Sequence, residues 1–174
     1  MALFNTTAGL PHLPPTRVGP RPRTPLALPH KQLDQWPPSG LVRRLLMRAL
    51  SIPHVLPRQS RMSSADSVAL TLPDRLAGGP ADAFIDGHEF CHLLPLPEGS
   101  LHLTLPAPLR GLMVDLGWAE PHPFARSLIM PALLTVYAPR DDDELEVVAG
   151  LVSSSCLHAK GRFFECQSFA PGIR

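Results

Sequence analysis

Proline limits what this 174-residue chain can fold into, because the sequence contains 22 prolines and they are densest in residues 11–30. Each proline removes a backbone N–H donor and holds the residue before it in an extended conformation. This N-terminal region therefore cannot form a regular helix, and we expect residues 1–38 to form an extended, polyproline-like arm. The arm either stays flexible or lies across the domain or a partner, and the apolar residues 26–28 favour docking.

The rest of the chain, residues 39–174, has the length of one domain. Hydrophobic residues make up 44% of the sequence, which is enough for a core. Strand patterns lie in the middle of the chain, with helix patterns before and after them. This order predicts an α+β fold, in which an antiparallel sheet is packed by a few helices within a single compact domain.

Charge and cysteine content indicate the environment of the protein. Its 16 Lys and Arg residues nearly balance 15 Asp and Glu residues, and no basic stripe is present, so we expect no nucleic-acid partner. No stretch approaches the roughly 20 apolar residues of a membrane-spanning helix. Cys91, Cys156 and Cys166 form no CxxC pair, which favours reduced thiols in a cytoplasmic protein.

Hydrophobic periodicity and turn residues predict the secondary structure. We expect a first helix with Ser39 as its N-cap. In chain order, the predicted elements are a helix over residues 39–50, a strand over 66–72, a hairpin within 84–105, a helix or strand over 109–116, an irregular loop over 117–126 and a buried strand over 132–138.

The clearest helix begins in the run APRDDDELEVV. Asp141 is placed to cap it, and Glu144 follows three residues later as in a capping box. Acidic residues at this end also favour the helix dipole. We therefore interpret the three aspartates as a helix start rather than as a metal site.

The stretch EFCHLLPLPEGSLHLTLP places one histidine in each strand of the predicted hairpin. If the turn is residues 95–99, Leu94 pairs with Ser100 and His92 lies directly opposite His102. Opposed residues have Cβ atoms about 4.5–5.5 Å apart, so the two imidazoles could share a ligand. A slip of one residue would send one of them to the other face of the sheet.

A third candidate, His122, lies between two prolines that hold its backbone extended. Glu89 is on the strand face opposite His92 unless a bulge intervenes. Three histidines could bind zinc, or iron together with a carboxylate, although the spacing of His92, His102 and His122 matches no standard metal motif. The proline-flanked His30 gives no indication of a catalytic role.

Three ordered motifs resemble the luciferase-domain family, which includes the fungal luciferases. They are EFCHLLPLPEGSLHLTLP, GWAEPHPFA and YAPRDDDELEVV, and GPRPRTPLALPHKQL is similar to the N-terminal segment of bacterial members. The resemblance covers roughly residues 19–160. The chain departs from the fungal pattern at Leu94 and Pro97, where the fungal motif has further histidines.

The resemblance implies an activity and a set of site residues. The fungal enzymes oxidise a hydroxylated α-pyrone with molecular oxygen and release light and carbon dioxide. A histidine would remove the enol proton, and positioned donors would stabilise the resulting anion. The candidate catalytic residues are His92, His102, His122 and Arg140, and the candidate substrate-binding residues are Trp118, Tyr137 and Glu89.

Two functions follow from these observations. The first is an oxygenase-like enzyme acting on a small enolic or aromatic compound, with molecular oxygen as co-substrate and a bound metal ion left open. The second is a non-catalytic accessory or binding subunit whose arm, residues 1–38, docks on a protein partner. Histidines that converge on a cavity favour the enzyme, whereas histidines buried in hydrogen bonds favour the subunit.

Overall fold

Short strands rich in β-branched and leucine residues pair into one antiparallel sheet, as the α+β prediction requires. The computed structural model describes residues 13–163; residues 1–12 and 164–174, and with them Cys166, lie outside the described part. The strand order is β1-β2-β3-β4-β6-β5. The strands are β1 (Leu56–Gln59), β2 (Val68–Thr71), β3 (Glu89–Leu93), β4 (Leu101–Thr104), β5 (Ala119–Pro121) and β6 (Leu133–Val136).

Helices pack against this sheet. They are α1 (Ser39–Ser51), α2 (Ala107–Asp115), α3 (Pro123–Arg126) and α4 (Asp142–Ala159), with single 3₁₀ turns at Asp74–Leu76 and Ala81–Ala83. Within residues 13–163, none of the helices is long and apolar enough to cross a membrane.

Helix α4 covers one face of the sheet and forms the core with it. Leu101 and Leu103 of β4 are buried in the same apolar cluster as Leu145 and Val148 of α4, and α1 packs beside α4. Side chains alternate along a strand, so the residue between the two leucines, His102, points to the opposite face. The fold therefore places α1 and α4 on one side of the hairpin and its histidines on the other.

The start of α4 confirms the predicted cap. Asp141 precedes the helix, and its Oδ1 accepts a hydrogen bond from the Glu144 N–H at 2.8 Å. The Glu144 carboxylate accepts from the Arg140 N–H at 2.9 Å and pairs with the Arg140 guanidinium. The acidic run is thus a helix start that is held by local hydrogen bonds.

Three local predictions need correction or completion. Ser39 is the first residue of α1 rather than its cap, because Pro38 occupies the cap position without a side-chain bond. Residues 117–126 are not an irregular loop, since they contain β5 and α3. The ambiguous segment at residues 109–116 lies mostly in helix α2, and β1 was not predicted because its four residues are exposed at the sheet edge.

The described part of the arm, residues 13–38, lies along the domain. Arg17 donates to the Ala138 carbonyl at 3.2 Å and forms an ion pair with Glu144 at 3.1 Å. The Trp118 Nε1–H donates to the Pro15 carbonyl at 2.7 Å. Contacts with Trp118, which precedes β5, and with Glu144 of α4 therefore hold the arm on its own domain.

The turn around Gly79 offers a stability test. A Cβ at this position would lie 2.3 Å from the His158 carbonyl oxygen and 2.8 Å from that of Ala159, and both are backbone atoms that cannot move cheaply. We expect Gly79→Ala to lower the free energy of unfolding by about 2 kcal/mol. Gly111→Ala is the control, because its Cβ meets nothing within 4 Å and helix α2 gains about 0.5–1 kcal/mol from alanine. Urea unfolding of both variants measures the difference, and equal stabilities would contradict the packing described.

Candidate functional site

A row of polar side chains crosses the sheet on the face turned away from α4. His92 pairs with His102 across β3 and β4, as the predicted turn length required. His102 pairs with Thr135 of β6, which in turn pairs with Glu120 of β5. Pairing places these side chains on one face of four neighbouring strands.

Hydrogen bonds link Glu89, His92 and His102 into a chain. Glu89 Oε1 lies 2.6 Å from His92 Nδ1, and His92 Nε2 lies 2.9 Å from His102 Nδ1. The Ser60 hydroxyl donates to the same Glu89 oxygen at 2.9 Å. All of these side chains are buried. The arrangement matches the pattern in which a carboxylate orients one imidazole, which then orients a second.

A bulge brings Glu89 to the side chain of His92. Leu70 pairs with Cys91, but the next residue of β2, Thr71, pairs with Glu89, so Phe90 is the extra residue on β3. An extra residue reverses the alternation of side chains at that point. This meets the condition on which a role for Glu89 was predicted.

The hydrogen-bond chain ends on one bare nitrogen. When His92 is neutral, its Nδ1–H donates to the carboxylate and its Nε2 accepts from the His102 Nδ1–H, which leaves His102 Nε2 as an acceptor. This atom is buried and has no hydrogen-bond partner among residues 13–163. The hydroxyl oxygen of Thr135, the residue paired with His102 on β6, is likewise buried and unpartnered among these residues. A buried polar atom without a partner is a candidate for contact with a ligand.

The surroundings of His102 keep its ring neutral. Burial lowers its pKa well below the usual value, and His92, His122 and His30 lower it further. A contact with the backbone of His30 raises the pKa of His102, but by less than the other groups lower it. This contact does not meet the geometry of a hydrogen bond, so Nε2 has no partner among the described residues. The neutral ring therefore keeps the Nε2 lone pair available as a hydrogen-bond acceptor.

His122 contributes a second neutral ring. It caps α3, where its Nδ1 accepts from the Phe124 N–H at 3.2 Å, so that the neutral ring carries its proton on Nε2. Burial, followed by His30, His92 and Arg126, lowers its pKa to about 4. Its ring centroid lies 4.6 Å from that of His102 in an edge contact. The pair thus combines an acceptor nitrogen with a donor nitrogen.

A cavity of about 880 Å³ opens beside these rings. His102 and His122 line it, whereas His92 and Glu89 lie behind His102 and do not. The cavity is large enough for a drug-sized molecule. Its remaining wall consists of residues 28–31 of the arm, the loop at residues 61–64, the turn at residues 94–98 and Phe124.

The sequence analysis missed His30, which the arm brings to the cavity wall. Its Nδ1 lies 2.9 Å from the Pro25 carbonyl oxygen, and its Nε2 lies 2.8 Å from Glu120 Oε1. The Tyr137 hydroxyl donates to the other oxygen of Glu120 at 3.1 Å. Burial raises the pKa of Tyr137, and its neighbour Glu120 raises it further. No local pattern signals these contacts, because they join segments 90 residues apart in sequence.

Three other predicted site residues lie outside the cavity lining. Arg140 pairs with Glu144 and donates to the Val18 carbonyl at 2.7 Å. Trp118 is buried beneath the arm. Tyr137 is also outside the lining, and its hydroxyl donates to Glu120, which holds the lining residue His30. The structure thus brings the three histidines and Glu89 together, and places the remaining candidates around the arm.

The described residues offer no ready metal centre. Within residues 13–163, no group of three or more His, Cys, Asp or Glu side chains has an arrangement that could hold a metal ion. The geometry gives a reason, since both nitrogens of His92 are engaged by Glu89 and His102.

The part of the chain that contains most of these site residues also matches a known protein family. Residues 87–155, which contain Glu89 and the three histidines at positions 92, 102 and 122, match the family model described as Luciferase domain. Residues 87–155 belong to the luciferase-domain family. The predicted resemblance is therefore confirmed over these residues, and His30 and Ser60 lie outside the matched region.

Curated relatives extend the similarity beyond the domain. The chain is 31% identical to the luciferase of Armillaria ostoyae over 166 residues, which cover 84% of this chain and 60% of the relative. It is 30% identical to the luciferase of Armillaria gallica with the same coverage. The chain thus spans about 60% of the length of these relatives. No solved structure matches it significantly.

Proposed function

We propose that this luciferase-family protein is an oxygenase-type enzyme that deprotonates a small enolic or aromatic compound in the cavity. The observation that carries the proposal is the buried, unpartnered Nε2 of His102. His102 is a residue of the cavity lining, and His92 and Glu89 back it through hydrogen bonds. A base held this way needs no reorganisation before it accepts a proton.

The proton of the ligand moves to the end of the hydrogen-bond chain. The O–H bond of the enol breaks, its proton moves to His102 Nε2, and the electron pair stays on the ligand as an enolate. The new imidazolium is stabilised because its Nδ1–H donates to His92, whose own Nδ1–H donates to the Glu89 carboxylate. The Nε2–H of His122 is the donor that stabilises the enolate oxygen.

Molecular oxygen is the second substrate in this proposal. An enolate is more electron-rich than its parent enol, and its carbon can transfer electrons to oxygen and form a carbon–oxygen bond. The similarity to luciferases supports oxygen as the oxidant. The role of the protein is to form the enolate where a positioned base and a positioned donor meet it.

Oxygen consumption tests the proposed function. Purified protein would be mixed with a 3-hydroxy-2-pyrone, and with its 3-methoxy analogue, which has no enol proton. We expect oxygen uptake with the hydroxyl compound alone. The proposal would be wrong if the methoxy compound were consumed equally or if no enol were consumed at all.

A binding subunit remains the second candidate, and one observation favours it. Val18, Leu26 and Trp36 on the arm are 81%, 85% and 58% exposed, so they could contact a protein partner. If the protein is an enzyme, replacing all three with serine should leave oxygen uptake within about twofold of wild type, because none of them lines the cavity. A wild-type protein that takes up no oxygen with any enol would favour the subunit.

A further inference from the structure

The arm supplies one wall of the cavity, through residues 28–31. His30 is 3% exposed, although the residues on either side of it are exposed. The neighbouring Gln32 anchors this segment, since its N–H donates to Glu98 at 2.6 Å and its side-chain oxygen accepts from the Ala138 N–H at 3.0 Å. The Gln32 contacts hold the backbone next to His30, and the two ring nitrogens of His30 hold its side chain.

Both ring nitrogens of His30 face acceptors. The Pro25 carbonyl oxygen can only accept, so Nδ1 must carry a proton. Burial raises the pKa of Glu120, but hydrogen bonds from His30, Thr24 and Tyr137 outweigh it and leave that pKa below its usual value. The ionised carboxylate also only accepts, so Nε2 carries a proton as well. The hydrogen bonds are satisfied when His30 is an imidazolium.

This ion pair is oriented. His30 lines the cavity, whereas its partner Glu120 does not, so the positive end faces the space where a ligand would lie. The ring centroid of His30 is 5.2 Å from that of His122 and 6.2 Å from that of His102. A cation at this distance favours an anion beside the two rings and disfavours protonation of either ring.

The other ionisable groups at the cavity differ from His30 in exposure or in the sign of their charge. Lys31 and Arg61 are exposed, and Arg61 pairs with Asp86 at 2.9 Å. Glu98 is buried, and burial raises its pKa. Hydrogen bonds that it accepts from Ser100 and Gln32 act in the opposite direction but are weaker. Among these groups His30 alone combines burial, a fixed ring and contact with His102 and His122.

We propose that His30 is the cationic group of the cavity and makes it bind the anionic, enolate form of its ligand in preference to a neutral analogue. The inference rests on the proposed function and adds a group from outside the matched family region. His30 acts through its charge, because both of its N–H groups are already engaged. His30 therefore attracts the anionic ligand by its positive charge and does not accept a proton from it.

Binding of two probes without turnover tests the inference. The first is 4-hydroxy-6-methyl-2-pyrone, which ionises as an enol, and the second is its 4-methoxy analogue, which stays neutral. Dissociation constants and the ultraviolet titration of the bound hydroxyl probe would be measured for wild type, His30→Gln and Lys31→Gln. We expect His30→Gln to weaken binding of the ionised probe at least tenfold. The pKa of the bound probe should rise by about one unit, because a tenfold loss of affinity for the anion alone corresponds to one pKa unit.

The controls separate charge from structure. Lys31→Gln removes a cation from the same wall, and we expect it to change the affinity for the ionised probe by less than about threefold because its ammonium is in solvent. The methoxy probe should bind all three proteins within about twofold. Equal losses from both variants, or an equal loss of both probes in His30→Gln, would overturn the charge role of His30. A wild type that binds both probes equally would overturn it too, and one that binds neither would overturn the proposed function itself.

Discussion

Changing His102 to glutamine should lower oxygen uptake with an enolic pyrone by about 10²–10⁴-fold, because general-base catalysis contributes that much when the base is positioned. Glutamine has similar length and fits between β3 and β6, but its amide cannot accept a proton near neutral pH. The cavity and its other residues would remain in place. Initial rates at saturating pyrone measure the effect.

The matched control is His88→Gln. His88 is a histidine of the same domain that contacts Asp74 at 3.1 Å and lies outside the cavity lining. We expect its uptake to stay within about twofold of wild type, and both variants should show wild-type thermal unfolding. A loss below about fivefold for His102→Gln in a folded protein would contradict the assignment of His102 as the base.

Acid should destabilise the folded protein before its carboxylates are protonated. The pKa of His122 falls from 6.5 to about 4 on folding, and that of His102 is also lowered, so the unfolded chain binds more protons than the native state below pH 6.5. The free energy of unfolding therefore decreases as the pH falls through this range. For His122 alone the loss between pH 6.5 and pH 4.5 is on the order of 2–3 kcal/mol, at about 1.4 kcal/mol for each pH unit.

Urea unfolding at intervals between pH 7.5 and 4.5 measures this slope. His122→Leu provides the comparison, because it removes one of the three described histidines whose pKa is lowered, the others being His102 and His158, and should make the curve shallower whatever its effect at pH 7.5. Burial raises the pKa of Glu98, which opposes this slope equally in both proteins. Glu120 and Glu144 have lowered pKa values, so their contribution is lost mainly below about pH 4.5 and does not enter this window. An unfolding free energy that stays flat from pH 6.5 to 4.5 would show that these rings are not buried in their neutral form.

The hairpin could be predicted from the sequence because a five-residue turn fixes which residues face each other. The pairing of His92 with His102 followed from that count. The contact of Glu89 with His92 depended on a bulge, and a bulge is set by the fit between β2 and β3 rather than by local sequence.

The errors share a long-range cause. Residues 117–126 were predicted as a loop, but they contain a three-residue strand that exists because it pairs with β6 and a single-turn helix that His122 caps. His30 was set aside because an arm rich in proline has no periodicity from which its docking can be predicted. Its role emerges only when the arm lies on the domain and meets Glu120.

The protonation state of the His102 ring decides whether this residue can act as the base. Nitrogen-15 chemical shifts of histidine-labelled protein at pH 7, assigned by comparison with His102→Gln, report which ring nitrogens carry protons. The account predicts a neutral His102 with its proton on Nδ1 and a bare Nε2 towards the cavity. A proton on His102 Nε2, either as the other tautomer or as an imidazolium, would contradict it.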